Sequence, residues 1–263
     1  GVTMTSIVDE IKILVKDFYS SNPHIEDSHG IGHVLRVHQH SVNAIESHIP
    51  HLTKDQSVQI EIAALLHDVD DQKYFPGNEV EKWNAKLILQ QAGILGEATQ
   101  SILQMIDWVS TSHNGNSIPP CIENNGEYFR LIPRWSDRLE AIGIRGVIRC
   151  YQYSVESGQA LSIPDASPRA TSEEEVWNLA YPDRFVRYQM EPESLSQDMI
   201  SHYYDKLLHV ARPPPTIVRN AYLERKAAEG AAPLVEVCLR FGKTGKVDEE
   251  YFKELMMQEE QLE

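Results

Sequence analysis

Four side chains that can ligate a metal ion are spaced along the chain: His33, His67, Asp68 and Asp137. Together they offer two imidazole nitrogens and two carboxylates. Such a mixed set suits Mn²⁺, Fe²⁺, Co²⁺, Ni²⁺ or Zn²⁺ better than Ca²⁺. The His67-Asp68 doublet follows the apolar run IEIAALL, so we expect it at the buried end of a helix, where ionisable groups need partners or a metal. The pattern predicts a site for one divalent ion.

Polar residues just beyond the doublet could act on a substrate. Asp71 follows Asp68 by about one helical turn and could orient or deprotonate an attacking water, and Asp70 competes for that role. The alternative interpretation of Asp71 is a carboxylate at a helix C-terminus. Lys73 either contacts a phosphate or lies in solvent.

Arginines accompany the last candidate ligand. A helix predicted from Pro133 toward Gly158 turns by about 100° per residue. It would place four arginines in a row beside Asp137: Arg134, Arg138, Arg145 and Arg149. Guanidinium groups suit bidentate phosphate contacts. The alternative is that they pair with the abundant acidic side chains.

Composition limits the classes of partner. The formal net charge is −15, and an acidic chain disfavours nonspecific binding to nucleic acid or an anionic membrane. There is no run of eighteen apolar residues and no basic-then-apolar signal segment. Three widely spaced cysteines, never in a CxxC, indicate neither disulfides nor a thiolate zinc site. We therefore expect a cytoplasmic protein with a small-molecule partner; a homo-oligomer is compatible with the sequence.

The dominant hydrophobic period is helical, which predicts an all-α fold. Thr53 and Gln56 have the form of a capping box at a helix start. Helices are predicted over residues 33–49, 54–67, 79–91, 97–112 and 133–158, and again through most of the last seventy residues. Residues 116–127 are predicted to form a loop. The predicted organisation is a core (4–158), an insertion or loop with one short helix (159–193), and a helical C-terminal extension packed on the core (194–263).

The order His33, His67-Asp68, Asp137, each on a predicted helix, resembles the HD-domain metal-dependent phosphohydrolase superfamily, whose ligand pattern is H…HD…D. Longer segments resemble its bacterial-type branch that includes nucleoside triphosphate pyrophosphohydrolases. Motifs like HDxxHxxRV, LLHDxxDxK, DADRLDAIGAIGIAR and FYEKLL have counterparts in HGIGHVLRV (29–37), LLHDVDDQK (65–73), RWSDRLEAIGIRGVIR (134–149) and HYYDKLL (202–208). The similarity covers roughly residues 24–158 and 195–225.

The resemblance implies an HD-domain helical bundle that hydrolyses nucleotides with metal-activated water, converting a nucleoside triphosphate to a monophosphate and pyrophosphate. It implies that the four candidate ligands hold one divalent ion, Mn²⁺ first, with Fe²⁺, Co²⁺, Ni²⁺, Mg²⁺ or Zn²⁺ as alternatives. Asp71 and Lys73 would be catalytic. The residues expected to contact the substrate are His29, Arg36, Arg145, Arg149, Tyr204 and Lys206.

The chain departs from the family pattern at three positions, which bear on the substrate more than on the metal. Gly30 replaces an aspartate, Trp135 replaces the first aspartate of DAD, and Arg145 replaces an apolar residue. Three alternatives remain. A nucleotidase-like phosphomonoesterase would use the same ligands, and a non-catalytic helical interaction module would use none. A two-iron oxygenase needs further histidines between the doublet and the last aspartate, where only His113 occurs.

Overall fold

The computed structural model describes residues 6–191 and 196–262, which contain helices and one isolated bridge between Ala160 and Asp198, but no β-strand. The predicted all-α class is thus confirmed. Among these residues no helix is both long and apolar enough to cross a bilayer. Cys121, Cys150 and Cys238 are not joined in disulfides.

The helices of the first half, in chain order, are α1 (Ile7–Ser20), α2 (Ile31–Ser47), α3 (Lys54–Leu66), α4 (Asn78–Glu81), α5 (Trp83–Gln91), α6 (Glu97–Asp107), α7 (Thr111–Asn114), α8 (Pro120–Asn125) and α9 (Ile132–Leu139). Those that follow are α10 (Gly143–Ser157), α11 (Glu173–Leu179), α12 (Pro182–Met190), α13 (Met199–His202), α14 (Leu208–Ala211), α15 (Pro215–Val218), α16 (Ala221–Thr244) and α17 (Glu249–Leu262). Short 3-10 turns occur at Asp27–His29 and Tyr128–Leu131, and Tyr203–Leu207 is a π-helix.

The start of α3 follows the prediction. The side chain of Thr53 accepts from the Gln56 amide at 3.1 Å, and the Gln56 side chain accepts from the Thr53 amide at 2.9 Å. This reciprocal pair satisfies two amides that the first turn leaves without partners.

The predicted helix over residues 79–91 is interrupted at Lys82, which has a φ of 52°. Its ammonium is buried and donates to the Glu79 carbonyl and the Asp107 carboxylate, each at 2.8 Å. A contact with a residue far along the chain therefore stabilises a backbone conformation that lysine rarely adopts.

Residues 97–112 and 116–127 also differ from the prediction. The first segment is helical only to Asp107 and again from Thr111. The second contains α8, which begins at Pro120, where a missing amide proton costs little. This helix ends at Gly126, whose φ of 75° suits a C-terminal cap.

The single helix predicted from Pro133 to Gly158 is two helices, α9 and α10. Ile142 is extended and Gly143 has a φ of 71°, so the chain changes direction between them. A Cβ on Gly143 would also lie 3.8 Å from the Cα of Gly230. The predicted row of four arginines on one helix is therefore wrong, because the break separates Arg134 and Arg138 from the other two.

The described chain forms two compact units. The first contains residues up to Ser110, Ser117–Asp137 and Thr216–Leu223; the second contains Thr111–Asn116, Arg138–Pro215 and the residues from Glu224 onward. The predicted boundary between residues 193 and 194 lies outside the described residues.

In the first unit α3 is the central helix and packs against α1, α2 and α6. Apart from Glu61, its second half is buried: Ile60, Ile62, Ala63, Ala64, Leu65 and Leu66. A helix that is apolar over most of its surface must be covered by its neighbours. The end of α3, where the His67-Asp68 doublet follows, is thus held by the core of the unit.

The second unit has its own apolar core, to which α10, α11, α16, α17 and the π-helix contribute. Residues 159–190 belong to this unit and contain α11 and α12, where one short helix was predicted. Ala170, Val176 and Phe185 are buried, so this segment is an integral part of the unit and not only a surface insertion.

Candidate metal centre

The four predicted ligands all lie in the first unit. His33 is in the first turn of α2, His67 caps the C-terminus of α3, Asp68 is the next residue, and Asp137 is on α9. Three helix termini or turns, far apart in sequence, are thus brought to one place.

The ligand atoms converge closely. The two Nε2 atoms of His33 and His67 are 3.3 Å apart, and the Oδ1 atom of Asp137 lies 3.1 Å from each of them. The Oδ2 atom of Asp68 lies 3.5 Å from the first and 3.6 Å from the second. Two imidazole nitrogens and two carboxylates therefore face a common point.

The orientation of His67 fits a metal ligand. Its Nδ1 donates to the carbonyl oxygen of Ala64 at 2.7 Å, so in the neutral ring Nε2 carries a lone pair. That lone pair faces the Asp137 carboxylate, and two electron pairs at this distance repel each other unless a proton or a cation lies between them. Backbone hydrogen bonds on the far nitrogen are the usual way to orient metal-binding histidines.

The charges of the centre are strongly coupled. Burial lowers the pKa of His67, but Asp68 and Asp137 outweigh burial and raise that pKa to about 10. Burial raises the pKa of Asp137, yet its hydrogen bonds with His33 and His67 hold it well below the ordinary value. Without an ion the cluster thus retains a proton. A divalent cation would displace it, as metal binding to histidine generally does.

The structure separates Asp70 from Asp71. Asp70 is buried, and its carboxylate accepts from the amides of Asn84 and Ala85, each at 2.9 Å, and from the Asn78 side chain at 3.0 Å. These bonds hold the start of α5. Asp70 is therefore a structural carboxylate, which leaves Asp71 as the candidate catalytic acid or base.

Asp71 lies beside the cluster and is held in place. The Lys73 amide donates to its Oδ1 at 2.8 Å, and His29 Nδ1 lies 3.5 Å from its Oδ2. The same His29 nitrogen lies 3.7 Å from Asp68 Oδ2. The exposed Lys73 ammonium pairs with Glu26 at 3.1 Å, so this lysine meets a carboxylate and not only solvent.

Arg36 turns back along α2. A Cβ placed on Gly32 would lie 3.3 Å from Nη1 of Arg36, so the glycine leaves room for the guanidinium near the start of the helix. Gly30 is the N-cap of α2, which has no side-chain cap bond; an aspartate at this position could supply one.

Tyr19 is a residue that sequence reasoning missed. Its side chain is buried, and its hydroxyl has no hydrogen-bond partner among the described residues. Burial raises the pKa of this hydroxyl, and the nearby carboxylates of Asp68 and Asp71 raise it further. The sequence predicts only a core tyrosine on α1, because nothing local relates it to the doublet.

The remaining predicted substrate contacts lie in the second unit. Arg145 pairs with Glu259 at 3.5 Å, as the ion-pair alternative expected, and Arg149 donates to the Glu140 carbonyl at 3.5 Å. Both arginines lie on α10, and the second contact spans the break that separates α9 from α10.

The π-helix carries the other two predicted contacts. Lys206 places its ammonium 5.7 Å from the ring centre of Tyr188. Tyr204 is completely buried in the core of the unit. The prediction that Tyr204 contacts a substrate is corrected, because its side chain has no exposed surface.

Solved structures share this fold. A Lactobacillus plantarum protein is 20% identical with a TM-score of 0.60, covering 91% of this chain and 97% of that one. The Lin1889 protein from Listeria innocua is 18% identical with a TM-score of 0.56, covering 90% and 96%. An HD-superfamily hydrolase from Bacillus thuringiensis is 19% identical with a TM-score of 0.54, covering 98% and 100%. At these identities the likeness shows the fold.

No family model matches the chain. One relative is much closer in sequence than the solved structures. The mimivirus protein named Uncharacterized protein L803, from Acanthamoeba polyphaga mimivirus, is 34% identical over 245 residues, which cover 88% of this chain and 94% of that protein. The chain therefore belongs to the same family as the mimivirus L803 protein and has the fold of an HD-superfamily hydrolase.

Proposed function

We propose that the protein is a divalent-metal-dependent phosphohydrolase that acts on nucleotides. The observation that carries the proposal is the convergence of His33, His67, Asp68 and Asp137 within a chain of HD-superfamily fold. Mn²⁺ is the proposed ion, with Fe²⁺, Co²⁺, Ni²⁺, Mg²⁺ and Zn²⁺ as alternatives, because the ligand set is mixed nitrogen and oxygen.

A divalent ion bound there would lower the pKa of a bound water toward about 7 and neutralise charge on a phosphoryl group. The protein supplies the proton chemistry through Asp71. Its carboxylate is fixed by the Lys73 amide and lies next to His29, so it can orient or deprotonate the attacking water. A positioned general base typically contributes about 10²- to 10⁴-fold.

Cationic side chains are proposed to hold the phosphate. Arg36 lies near the start of the helix that carries His33. Arg149 and Lys206 are proposed because both match the family motifs. Lys73 can contact a phosphate only after its exposed ion pair with Glu26 opens. Opening it costs little, because exposed ion pairs of this kind contribute little free energy.

The finer proposal is hydrolysis of a nucleoside triphosphate to a monophosphate and pyrophosphate. Its support is the similarity of residues 29–37, 65–73, 134–149 and 202–208 to motifs of that branch. A phosphomonoesterase is the second candidate, because the same ligands could serve it. The two differ in product: pyrophosphate in one case and orthophosphate in the other.

The test is a screen of the full chain, loaded with Mn²⁺, against nucleoside mono-, di- and triphosphates and small phosphoesters, with products identified by ³¹P NMR. Asp137→Ala should abolish turnover. His51→Ala, which changes an exposed histidine, should leave it intact. If the loaded wild type hydrolyses none of these compounds faster than Asp137→Ala, the phosphohydrolase proposal fails and the interaction module is favoured.

A further inference from the structure

The first unit contains a cleft beside the N-terminal half of α3, with a volume of about 620 Å³. Its walls are one face of α3, one face of α6 and the 3-10 turn Tyr128–Leu131 with the residue before it. Along the axis of α3, Gln59 lies about 12 Å from His67 at 1.5 Å per residue. None of the lining residues is a predicted metal ligand or substrate contact. We propose that this cleft binds an uncharged purine nucleoside, an inference that does not depend on the proposed function.

The size and the apolar part of the cleft fit a small ligand with a flat ring. Ligand pockets usually enclose about 300 to 1,000 Å³ and combine an apolar surface with a few polar groups. Here Ile60 and Met105 are buried and Phe129 is half-buried. The Phe129 ring packs against the His48 ring, with the two centres 6.0 Å apart, and is thus held in place. Nucleobases stack on aromatic rings of this kind.

Amide side chains dominate the polar part of the lining. Four glutamines contribute to it: Gln56, Gln59, Gln100 and Gln104. Each amide carries two donor hydrogens and an acceptor oxygen. The oxygen of Gln104 already accepts from Arg130 at 2.9 Å, which leaves its NH₂ group to donate. Gln59 and Gln100 form no hydrogen bond with another described residue, so their amides can bind a ligand that displays donors and acceptors side by side.

Arg130 adds a fixed cation. Its Nη2 donates to the carbonyl and hydroxyl oxygens of Ser101, at 3.3 and 3.0 Å, and to Gln104. The guanidinium carbon lies 4.8 Å from the ring centre of Trp108. All of these partners are uncharged and the bonds use only Nη2, so Nε and Nη1 remain for further acceptors. Arginine pairs with O6 and N7 of guanine, and glutamine with N6 and N7 of adenine. Both pairings read a purine edge.

The charges of the cleft disfavour an anionic ligand. Two carboxylates, those of Glu97 and Glu127, accompany the single guanidinium of Arg130. The Asn125 side chain donates to one oxygen of Glu127 at 2.7 Å, which orients this carboxylate and leaves its charge in place. A phosphate group would therefore meet a net negative charge. A nucleoside carries no charge, and carboxylates can accept from the amino group of a base, so the cleft suits a nucleoside better than a nucleotide.

Isothermal titration calorimetry of the chelator-treated full chain tests the proposal, with adenosine, guanosine, cytidine, uridine and AMP as ligands. Adenosine or guanosine should bind saturably at one site and more tightly than either pyrimidine nucleoside, and AMP should bind more weakly than adenosine. Phe129→Ala should weaken the binding by about 5- to 150-fold, as expected for the loss of a stacked ring. Gln59→Ala and Gln100→Ala should each weaken it by about 3- to 10-fold, because each removes a hydrogen-bonding amide.

Two further variants serve as controls. Gln39→Ala is matched to the glutamine variants, since Gln39 is exposed on α2, bonds Asn43 and does not line the cleft. It should bind the nucleoside as the wild type does. Asp137→Ala, which alters the metal centre, should also bind it normally. Circular dichroism shows whether each variant is folded, and the two glutamine variants keep the test decisive if Phe129→Ala misfolds.

The proposal is overturned if neither purine nucleoside binds, if a pyrimidine nucleoside or AMP binds more tightly, or if the cleft variants bind like Gln39→Ala. Binding that Asp137→Ala abolishes would place the ligand at the metal centre and overturn it as well. The titration uses neither metal nor turnover. A failure of the nucleoside cleft therefore leaves the phosphohydrolase proposal standing, and a chain that binds the nucleoside but hydrolyses no phosphate compound retains the cleft and loses that proposal.

Discussion

The hydroxyl of Ser41 donates to the hydroxyl of Ser136 at 2.9 Å, and both side chains are completely buried. Ser41 lies about two turns beyond His33 on α2, and Ser136 directly precedes Asp137 on α9. The bond therefore fixes the register in which these two helices present a histidine and a carboxylate to the same point.

Replacing either serine should weaken the centre. Ser136→Ala or Ser41→Ala leaves one buried hydroxyl without its partner, which costs about 1 to 3 kcal/mol. The double variant should cost less than the sum, because no hydroxyl is then left unsatisfied. Urea unfolding of the metal-free protein measures this, and Mn²⁺ titration should show weaker binding in the single variants. The bond would not fix the two helices if the losses of unfolding free energy in the single variants add up in the double variant. The same conclusion would follow if they are no larger than the loss in Ser57→Ala on α3.

Replacing a metal ligand should remove the tight ion, whereas replacing His113, the histidine between the doublet and Asp137, should not. His67→Ala and Asp137→Ala should lose the tight ion, because each removes an atom from the set of nitrogens and oxygens separated by 3.1 to 3.6 Å. His113→Ala should keep it, since His113 lies on α7 and outside the ligand sets. Elemental analysis of purified protein decides the matter; retention of the ion in both ligand variants would contradict the assignment.

Replacing the adjacent aspartates Asp71 and Asp70 should have different effects, one on catalysis and the other on stability. Asp71→Asn should lower kcat by about 10²- to 10⁴-fold if Asp71 acts on the attacking water, with the tight ion retained. Asp70→Asn should instead lower the free energy of unfolding by about 1 to 3 kcal/mol, because an amide cannot accept all the bonds that Asn78, Asn84 and Ala85 donate. Steady-state kinetics and urea unfolding of both variants provide the comparison. An unchanged kcat in Asp71→Asn would shift the proton transfer away from this residue.

Local patterns predicted the parts of the fold that local interactions determine. The capping box at Thr53 and Gln56 is an example, because both partners lie within one turn. The break at Lys82 could not be predicted, since its backbone is stabilised by Asp107 across 25 residues. The sequence predicts Gly143 inside a helix because a glycine at an interior position lowers helix stability by only about 1 kcal/mol.

In the candidate site, too, some features can be predicted from the sequence and others depend on contacts between distant residues. The order of His33, His67-Asp68 and Asp137 is visible in the sequence, and the structure brings these side chains together. The partner of Lys73 is 47 residues away, and the unsatisfied hydroxyl of Tyr19 depends on what surrounds it in the core. Neither leaves a periodic or spacing signal, so only the packed chain reveals them.

His202 at the end of α13 should make stability depend on pH. Burial lowers its pKa to about 3, and the positive charge of Lys206 acts in the same direction. The ring of Tyr188 packs edge-on against it, with the two ring centres 5.8 Å apart. In the unfolded chain the pKa is about 6.5. Between these values the unfolded state binds a proton that the folded state does not.

Above pH 6.5, His202 therefore does not lower the free energy of unfolding. As the pH drops from 6.5 toward 3, this group lowers it by at most about 1.4 kcal/mol per pH unit. His202→Asn removes this contribution, so its free energy of unfolding should fall less steeply than that of the wild type. Urea unfolding at pH 7, 5.5 and 4.5 measures the two slopes, and the difference cancels the carboxylates that both proteins share. The exposed His51→Ala should follow the wild type. Parallel curves for wild type and His202→Asn across this range would show that His202 is not held neutral by the fold.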